Sequence, residues 1–300
     1  MSDPRRFLIL GAAGQVGREL LRSFAGCGEI VGVDRETVDL AQTDRIRDLL
    51  RRVSPHVILN AAAYTAVDRA ESEADLAFAV NAEVPRILAE EARQSGALLV
   101  HYSTDYVFDG SKAEPWVEED QPNPLNAYGA SKLAGETAIR QTGVRCLTFR
   151  TSWVYGPHGN NFLLTMLRLA RERESLSIVS DQHGAPTSSI ELANATRAVV
   201  DGILAGRYGS PGVWAGVYHM TCSGSTTWYG FAQAIFARTR CRLGRRTPAL
   251  NPIAFAEYPT RAKRPRNSVL SNARLNARFG VRLPPWETAL DTVIGVLPEP

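Results

Sequence analysis

The chain has 300 residues, which at ~150 per domain suits two domains or one large α/β unit. Hydrophobic residues are 44% and charged residues 22%, a globular mix that excludes disorder, collagen and fibrous repeats. The net charge of +3 hides a split: residues 238–282 hold twelve Lys/Arg against the single acid Glu257, and the rest is mildly acidic.

In chain order, the apolar run Phe7-Leu8-Ile9-Leu10 predicts a parallel strand covered on both faces. Helical spacing follows over 15–24, a strand over 30–33, a short helix over 45–52 and a strand over 57–59. Residues 73–95 predict one long helix interrupted at Pro85. A strand over 97–102, a helix over 128–141 and a strand over 146–149 complete the first half. This β-α-β-α order predicts a Rossmann-type doubly wound parallel sheet in an α/β fold. The expected division is a dinucleotide domain over 1–150 and a smaller C-terminal α/β substrate domain over 151–300, lending an element back to the sheet. Helices are expected over 161–174, 191–204 and 226–238 and from Trp286, and a strand over 217–220.

No apolar run approaches the ~18 residues of a membrane span. Cys27, Cys146, Cys222 and Cys241 form no C-x-x-C pair and read as reduced thiols in a cytoplasmic protein.

Ligands in such sheets bind beyond the carboxyl ends of the strands. Gly11, Gly14 and Gly17, with Gln15 and Val16 between the last two, sit between the first strand and the first helix. Glycines there allow a tight turn and close approach of a pyrophosphate to the helix N-terminus. Asp34, at the end of strand two, is placed to accept from a ribose hydroxyl. Arg35 beside it suits a 2′-phosphate, so NADH and NADPH both stay open. Asp39 and Leu40 would hold the adenine edge. Ala61, Ala62 and Ala63 after strand three would let the backbone lie against the dinucleotide.

Tyr128 and Lys132 lie four apart and share a helix face. A Lys ammonium one turn away is expected to lower the phenol pKa. Thr104 follows a strand and can bond the oxygen that Tyr128 protonates. The three make an acid site for carbonyl reduction by hydride.

Five segments carry a specific resemblance: N-A-A-A-Y-T-A-V-D at 60–68, H-Y-S-T-D-Y-V-F at 101–108, Y-G-A-S-K-L-A-G-E at 128–136, F-R-T-S-W-V-Y at 149–155 and D-Q-H-G-A-P-T at 181–187. Essentially end to end, the chain resembles the dTDP-4-dehydrorhamnose reductase family of the extended short-chain dehydrogenases/reductases. The resemblance implies NAD(P)H-dependent reduction at C4 of a dTDP-4-keto-6-deoxy sugar, the last step of dTDP-L-rhamnose synthesis. It implies Tyr128 as proton donor and Lys132 as the residue that binds the nicotinamide ribose and tunes Tyr128. Thr104 and Asp105 would contact the sugar and Trp153 would pack on it. Tyr64, Thr65 and Tyr102 would line the cofactor beside Ala63.

One branch of the family holds Mg²⁺ with glutamates at a dimer interface. Glu19 and Glu287 sit in comparable places, but the middle position is Ile190 with Glu191 one residue off, so one ligand is displaced. Monomer and homodimer both stay open. The basic segment resembles the family's R-P-x-N-S stretch, where Arg264 is expected to face the substrate diphosphate. No recognition motif for nucleic acid accompanies the charge. An epimerase or 4,6-dehydratase on the same scaffold is one alternative; Tyr106, standing where a dehydratase needs an acid, argues against the latter. A non-catalytic regulatory subunit is another, and would have no need of Thr104, Tyr128 and Lys132.

Overall fold

The computed structural model describes residues 4–38, 42–240 and 247–298. Its main sheet has six strands: β1 (Arg6–Leu10), β2 (Glu29–Val33), β3 (Val57–Asn60), β4 (Leu98–Thr104), β5 (Cys146–Thr151) and β6 (Gly216–His219). Their order is β6-β5-β4-β3-β1-β2, with every pairing parallel. β3, β4 and β5 are buried along their whole length. That burial explains their unbroken apolar character, because helices cover both faces of the sheet. Side chains of β1 alternate between the two cores: Phe7 and Ile9 join one cluster, Leu8 and Leu10 the other.

The longer helices are α1 (Gln15–Ser23), α2 (Thr43–Val53), α3 (Val84–Ser95), α4 (Ala127–Thr142), α5 (Phe162–Glu172), α6 (Ser189–Leu204), α7 (Trp228–Thr239) and α8 (Trp286–Gly295), of which α7 packs on α5 and α8. α1 packs on α6, and α3 lies between α2 and α4. The second half of the chain thus supplies both β6 and one covering helix to the first.

The long helix expected over 73–95 is three pieces. A short helix (Ala74–Phe78) passes through a π-turn (Ala79–Glu83) into α3, with Pro85 in the first turn of α3. Proline is tolerated at that position, so the break falls before it. The π-turn brings Asn81 inward, where its side chain bonds Tyr64 and Ser131. The helix expected from residue 226 starts at Trp228, after a two-residue strand. Asn161 caps α5 by accepting from Leu164 N at 3.0 Å.

Strand order reverses at β1, between β2 and β3. The crevice at the carboxyl ends of β1 and β3 is therefore where a dinucleotide is expected in such a sheet. Among the described residues no helix is long and apolar enough to cross a membrane.

Candidate active site

The chain leaves β1 at Gly11 with φ at +75°, a conformation that favours glycine. A Cβ at Gly11 would lie 2.7 Å from Ala62 N, so the turn after β1 abuts the loop after β3. A Cβ at Gly17 would lie 2.0 Å from the Gly11 carbonyl oxygen, so α1 sits directly on that turn. Gly14 is the N-cap of α1 and no side chain caps the helix. Its first-turn N–H groups and positive dipole end fit a pyrophosphate. Gln15 ties this loop to the second half of the chain: its Oε1 accepts from Asn161 Nδ2 at 3.0 Å.

Asp34 ends β2. Its Oδ1 accepts from the Thr37 hydroxyl, Thr37 N and Glu36 N at 2.8, 3.0 and 3.1 Å. Those bonds, the hydroxyl first, hold the carboxyl below its usual range. Arg35 beside it is exposed. Asp39 and Leu40 lie outside the described residues. Ala61, Ala62 and Ala63 are half-buried and Thr65 is exposed. Tyr64 is buried, with its hydroxyl donating to Glu73 at 2.6 Å.

Asn126 caps α4 by accepting from Gly129 N at 2.8 Å. A Cβ at Gly129 would lie 2.2 Å from Tyr106 O, so α4 seats on the turn Asp105–Val107 that follows β4. That contact brings Tyr128 beside Thr104. The Thr104 hydroxyl donates to Asp105 Oδ1 at 2.9 Å and lies near the Tyr128 phenol.

Burial pushes the Tyr128 phenol up to about 12, helped by the Asp105 charge and opposed by Thr104. The expected lowering by Lys132 is therefore corrected. Lys132 Nζ turns toward β4, donating to Tyr102 O at 2.6 Å and lying 3.4 Å from His101 Nε2. A raised phenol stays protonated at neutral pH, the state a proton donor needs. Lys132 itself is lowered to about 8 by burial, opposed by Glu136. Burial also raises Asp105 to about 7, opposed by the nearby Ser268 and Thr104 hydroxyls. The Tyr102 ring does not line the crevice. It lies in the core with its hydroxyl on Thr196 at 2.6 Å, and its contribution here is the carbonyl that holds Lys132.

Sequence reasoning missed the polar groups beneath this cluster. Glu136 and Arg150 form a buried ion pair that Ser103 also bonds. His101 and Asn60 bond each other under Lys132 at 3.0 Å. The available signal was polar residues inside otherwise apolar strands.

Comparison with known proteins decides the family. The model described as the RmlD substrate binding domain matches residues 5–297. The dTDP-4-dehydrorhamnose reductase of Burkholderia thailandensis is 48% identical over 95% of this chain and 96% of its own. That of Escherichia coli K12 is 41% identical over 97% of each. The crystal structure of the Bacillus anthracis dTDP-4-dehydrorhamnose reductase in complex with NADP superposes with a TM-score of 0.87, at 34% identity, over 97% of this chain and 98% of that one.

The chain belongs to the dTDP-4-dehydrorhamnose reductase family.

In this member of the dTDP-4-dehydrorhamnose reductase family, Trp153 takes φ of +47°, a strained conformation for a bulky residue. Its ring stacks on Trp228 with centroids 3.5 Å apart and planes 7° from parallel. Gly184 lies against the same ring, where a Cβ would come within 2.3 Å. No local pattern announces Trp228 as its partner, because the two lie far apart in the chain.

Arg264 is not a free cation awaiting a diphosphate. Its Nη2 donates to Asp68 Oδ2 at 2.6 Å, while Nη1 is buried without a partner. It also lies near Tyr106, whose ring meets Tyr128 edge-on at 5.8 Å. Arg264 therefore sits one ring away from the Tyr128 phenol.

The residues considered for Mg²⁺ do not assemble. Glu19 is buried and paired with Arg22 at 3.2 Å, with Oε1 left unpartnered. Glu287 is exposed on α8. Among the described residues no three His, Cys, Asp or Glu side chains gather as a metal site. This set does not fit the ion, and no step here runs through one.

Proposed function

We propose that this chain reduces dTDP-4-dehydro-6-deoxy-L-mannose (dTDP-4-dehydro-β-L-rhamnose) to dTDP-L-rhamnose. The observation that carries the reading is the pair Tyr128 and buried Lys132, one turn apart on α4, with the Thr104 hydroxyl near the phenol, at the strand ends where the glycine loop opens. A nicotinamide dinucleotide, NADPH or NADH, supplies the hydride when bound. The turn at Gly11, Gly14 and Gly17 and the α1 N-terminus would hold its pyrophosphate, with Gln15 and Val16 in the first turn. Asp34 and Arg35 would meet its adenosine ribose, and the loop from Ala61 to Thr65 would back it.

Tyr128 gives its phenolic proton to the oxygen on C4 as that oxygen gains charge. Thr104 holds the same oxygen in place through its hydroxyl. Lys132 holds the nicotinamide ribose. Asp105 lies where it can bond a sugar hydroxyl. Trp153, with its faces taken by Trp228 and Gly184, would meet the sugar with its ring edge, and Arg264 lies behind Tyr106 beneath the substrate crevice. The partner is a small sugar nucleotide. A cytoplasmic setting fits free Cys27, Cys146 and Cys222.

The test is absorbance at 340 nm with the 4-keto substrate and NADPH, then NADH. Oxidation of added cofactor with stoichiometric dTDP-L-rhamnose supports the reductase. Tightly retained NAD with epimer formed and no net oxidation would instead make it an epimerase. No turnover with either cofactor would favour a regulatory subunit.

A further inference from the structure

Lys132 reaches from α4 to β4 through a fully buried path, and its surroundings form a chain of defined polarity. Asn60 Oδ1 accepts from Ala62 N at 3.3 Å, which directs Nδ2 of the same amide to His101 Nδ1 at 3.0 Å. Nδ1 is therefore an acceptor, and the ring proton of a neutral imidazole then sits on Nε2. Burial, with the Lys132 charge, keeps His101 neutral. Its Nε2–H faces Lys132 Nζ at 3.4 Å, donor against donor, so no Nζ proton gains by pointing at the ring. One Nζ proton goes to Tyr102 O at 2.6 Å. The others are left for the side away from β4.

We propose that Asn60 and His101 are a buried positioning pair that aims the Lys132 ammonium at the nicotinamide ribose. The inference rests on the ribose-holding role given to Lys132 above. Other groups around Nζ give it no comparable direction. Glu136, one turn along α4, is tied to Arg150 of β5 and Ser103 of β4. Tyr128, one turn earlier, has its phenol near Thr104 and leaves the Lys132 titration unaffected.

The test is the NADPH dissociation constant, read by fluorescence titration from about pH 6 to pH 10 across the range where Lys132 titrates. It is measured for the parent, His101→Gln, Lys132→Met and the double variant. In His101→Gln an amide oxygen accepts from Nζ and draws it back toward β4. NADPH affinity at pH 7 should fall about tenfold, the scale of one charge-assisted hydrogen bond. The alkaline limb should move up by about half a pH unit, since an acceptor stabilises the ammonium. In the Lys132→Met background the same change should cost nothing further.

Asn60→Asp gives a second route if the glutamine variant fails to fold. Its carboxylate accepts from Nδ1–H, reversing the tautomer so that Nε2 accepts from Nζ, and both shifts should keep their direction. Unchanged affinity and limb in these variants, with Lys132→Met impaired, would overturn the positioning role alone. A His101→Gln loss that adds in full to that of Lys132→Met would do the same, marking a structural effect. Normal NADPH binding by Lys132→Met would remove the ribose role of Lys132, and this inference with it.

Discussion

Glu136 on α4 and Arg150 on β5 are joined at two points inside the protein: Nε lies 2.9 Å from Oε1 and Nη2 2.6 Å from Oε2. Both side chains are about 5% exposed, and the guanidinium lies 5.1 Å from the Phe108 ring centre. A buried pair adds little net stability, but losing one partner strands the other charge. Glu136→Leu should therefore cost about 3–5 kcal/mol. The measurement is a lower urea midpoint at unchanged slope. Glu136→Leu combined with Arg150→Met should recover most of the loss, because no stranded charge remains. Glu136→Leu should also lower Lys132 further, since Glu136 is the group that opposes its desolvation.

Tyr128→Phe removes one hydroxyl from a half-buried ring and leaves the glycine loop and Lys132 untouched. Turnover should fall about 10²–10⁴-fold, the usual contribution of a positioned general acid. NADPH affinity should stay within about twofold, well inside the tenfold that 1.4 kcal/mol represents. Parallel titration and stopped-flow reduction separate the two. Near-normal turnover would take the proton-donor role away from Tyr128.

The parts of this fold legible in the sequence are those set by local rules. The run Phe7–Leu10, the glycine spacing and the Tyr128–Lys132 interval each announce themselves within a few residues. β6 was legible as a strand, because its apolar run has the right length. Its place beside β5 was not legible as a register, because pairing is a long-range fact. Asn81 was hidden inside a helical pattern that a π-turn breaks for tertiary reasons. The Tyr128 shift runs opposite to the local expectation for a related reason. Spacing put Lys132 on the right face, but the carbonyl of Tyr102, which draws Nζ away, comes from β4.

Trp153 and Trp228 are near enough, and parallel enough, for their indole transitions to couple. Trp228→Leu should abolish that coupling, read as loss of a tryptophan couplet in circular dichroism. Such a pair contributes ~0.5–1.5 kcal/mol beyond area burial, so the fold should survive. Trp153 would lose the partner that supports its strained backbone. The KM for the sugar nucleotide should rise several-fold while NADPH affinity holds. A KM unchanged in this variant would mean that Trp153 needs no support from Trp228 to serve the substrate.

Asp105 couples the site to pH. In an unfolded chain its carboxyl titrates near 3.8; in the fold, burial holds the proton to about 7. Between those values the native state binds more protons than the unfolded state. The contribution of Asp105 to stability is therefore complete below about pH 4 and is lost as pH rises through about 7. Asp105→Asn has nearly the same shape and cannot ionise. Its stability relative to the parent should climb across that window and level off above it, measured as urea midpoints at about pH 5 and pH 8. Lys132 titrates at about 8 with no contribution from Asp105, and Tyr128, which the Asp105 charge does raise, titrates at about 12, well above the window. Burial also raises Glu118 and Glu191, but they are common to both proteins and cancel in the difference. A difference that stays flat from pH 5 to pH 8 would mean that Asp105 is ionised in the native state throughout, with its charge compensated in place.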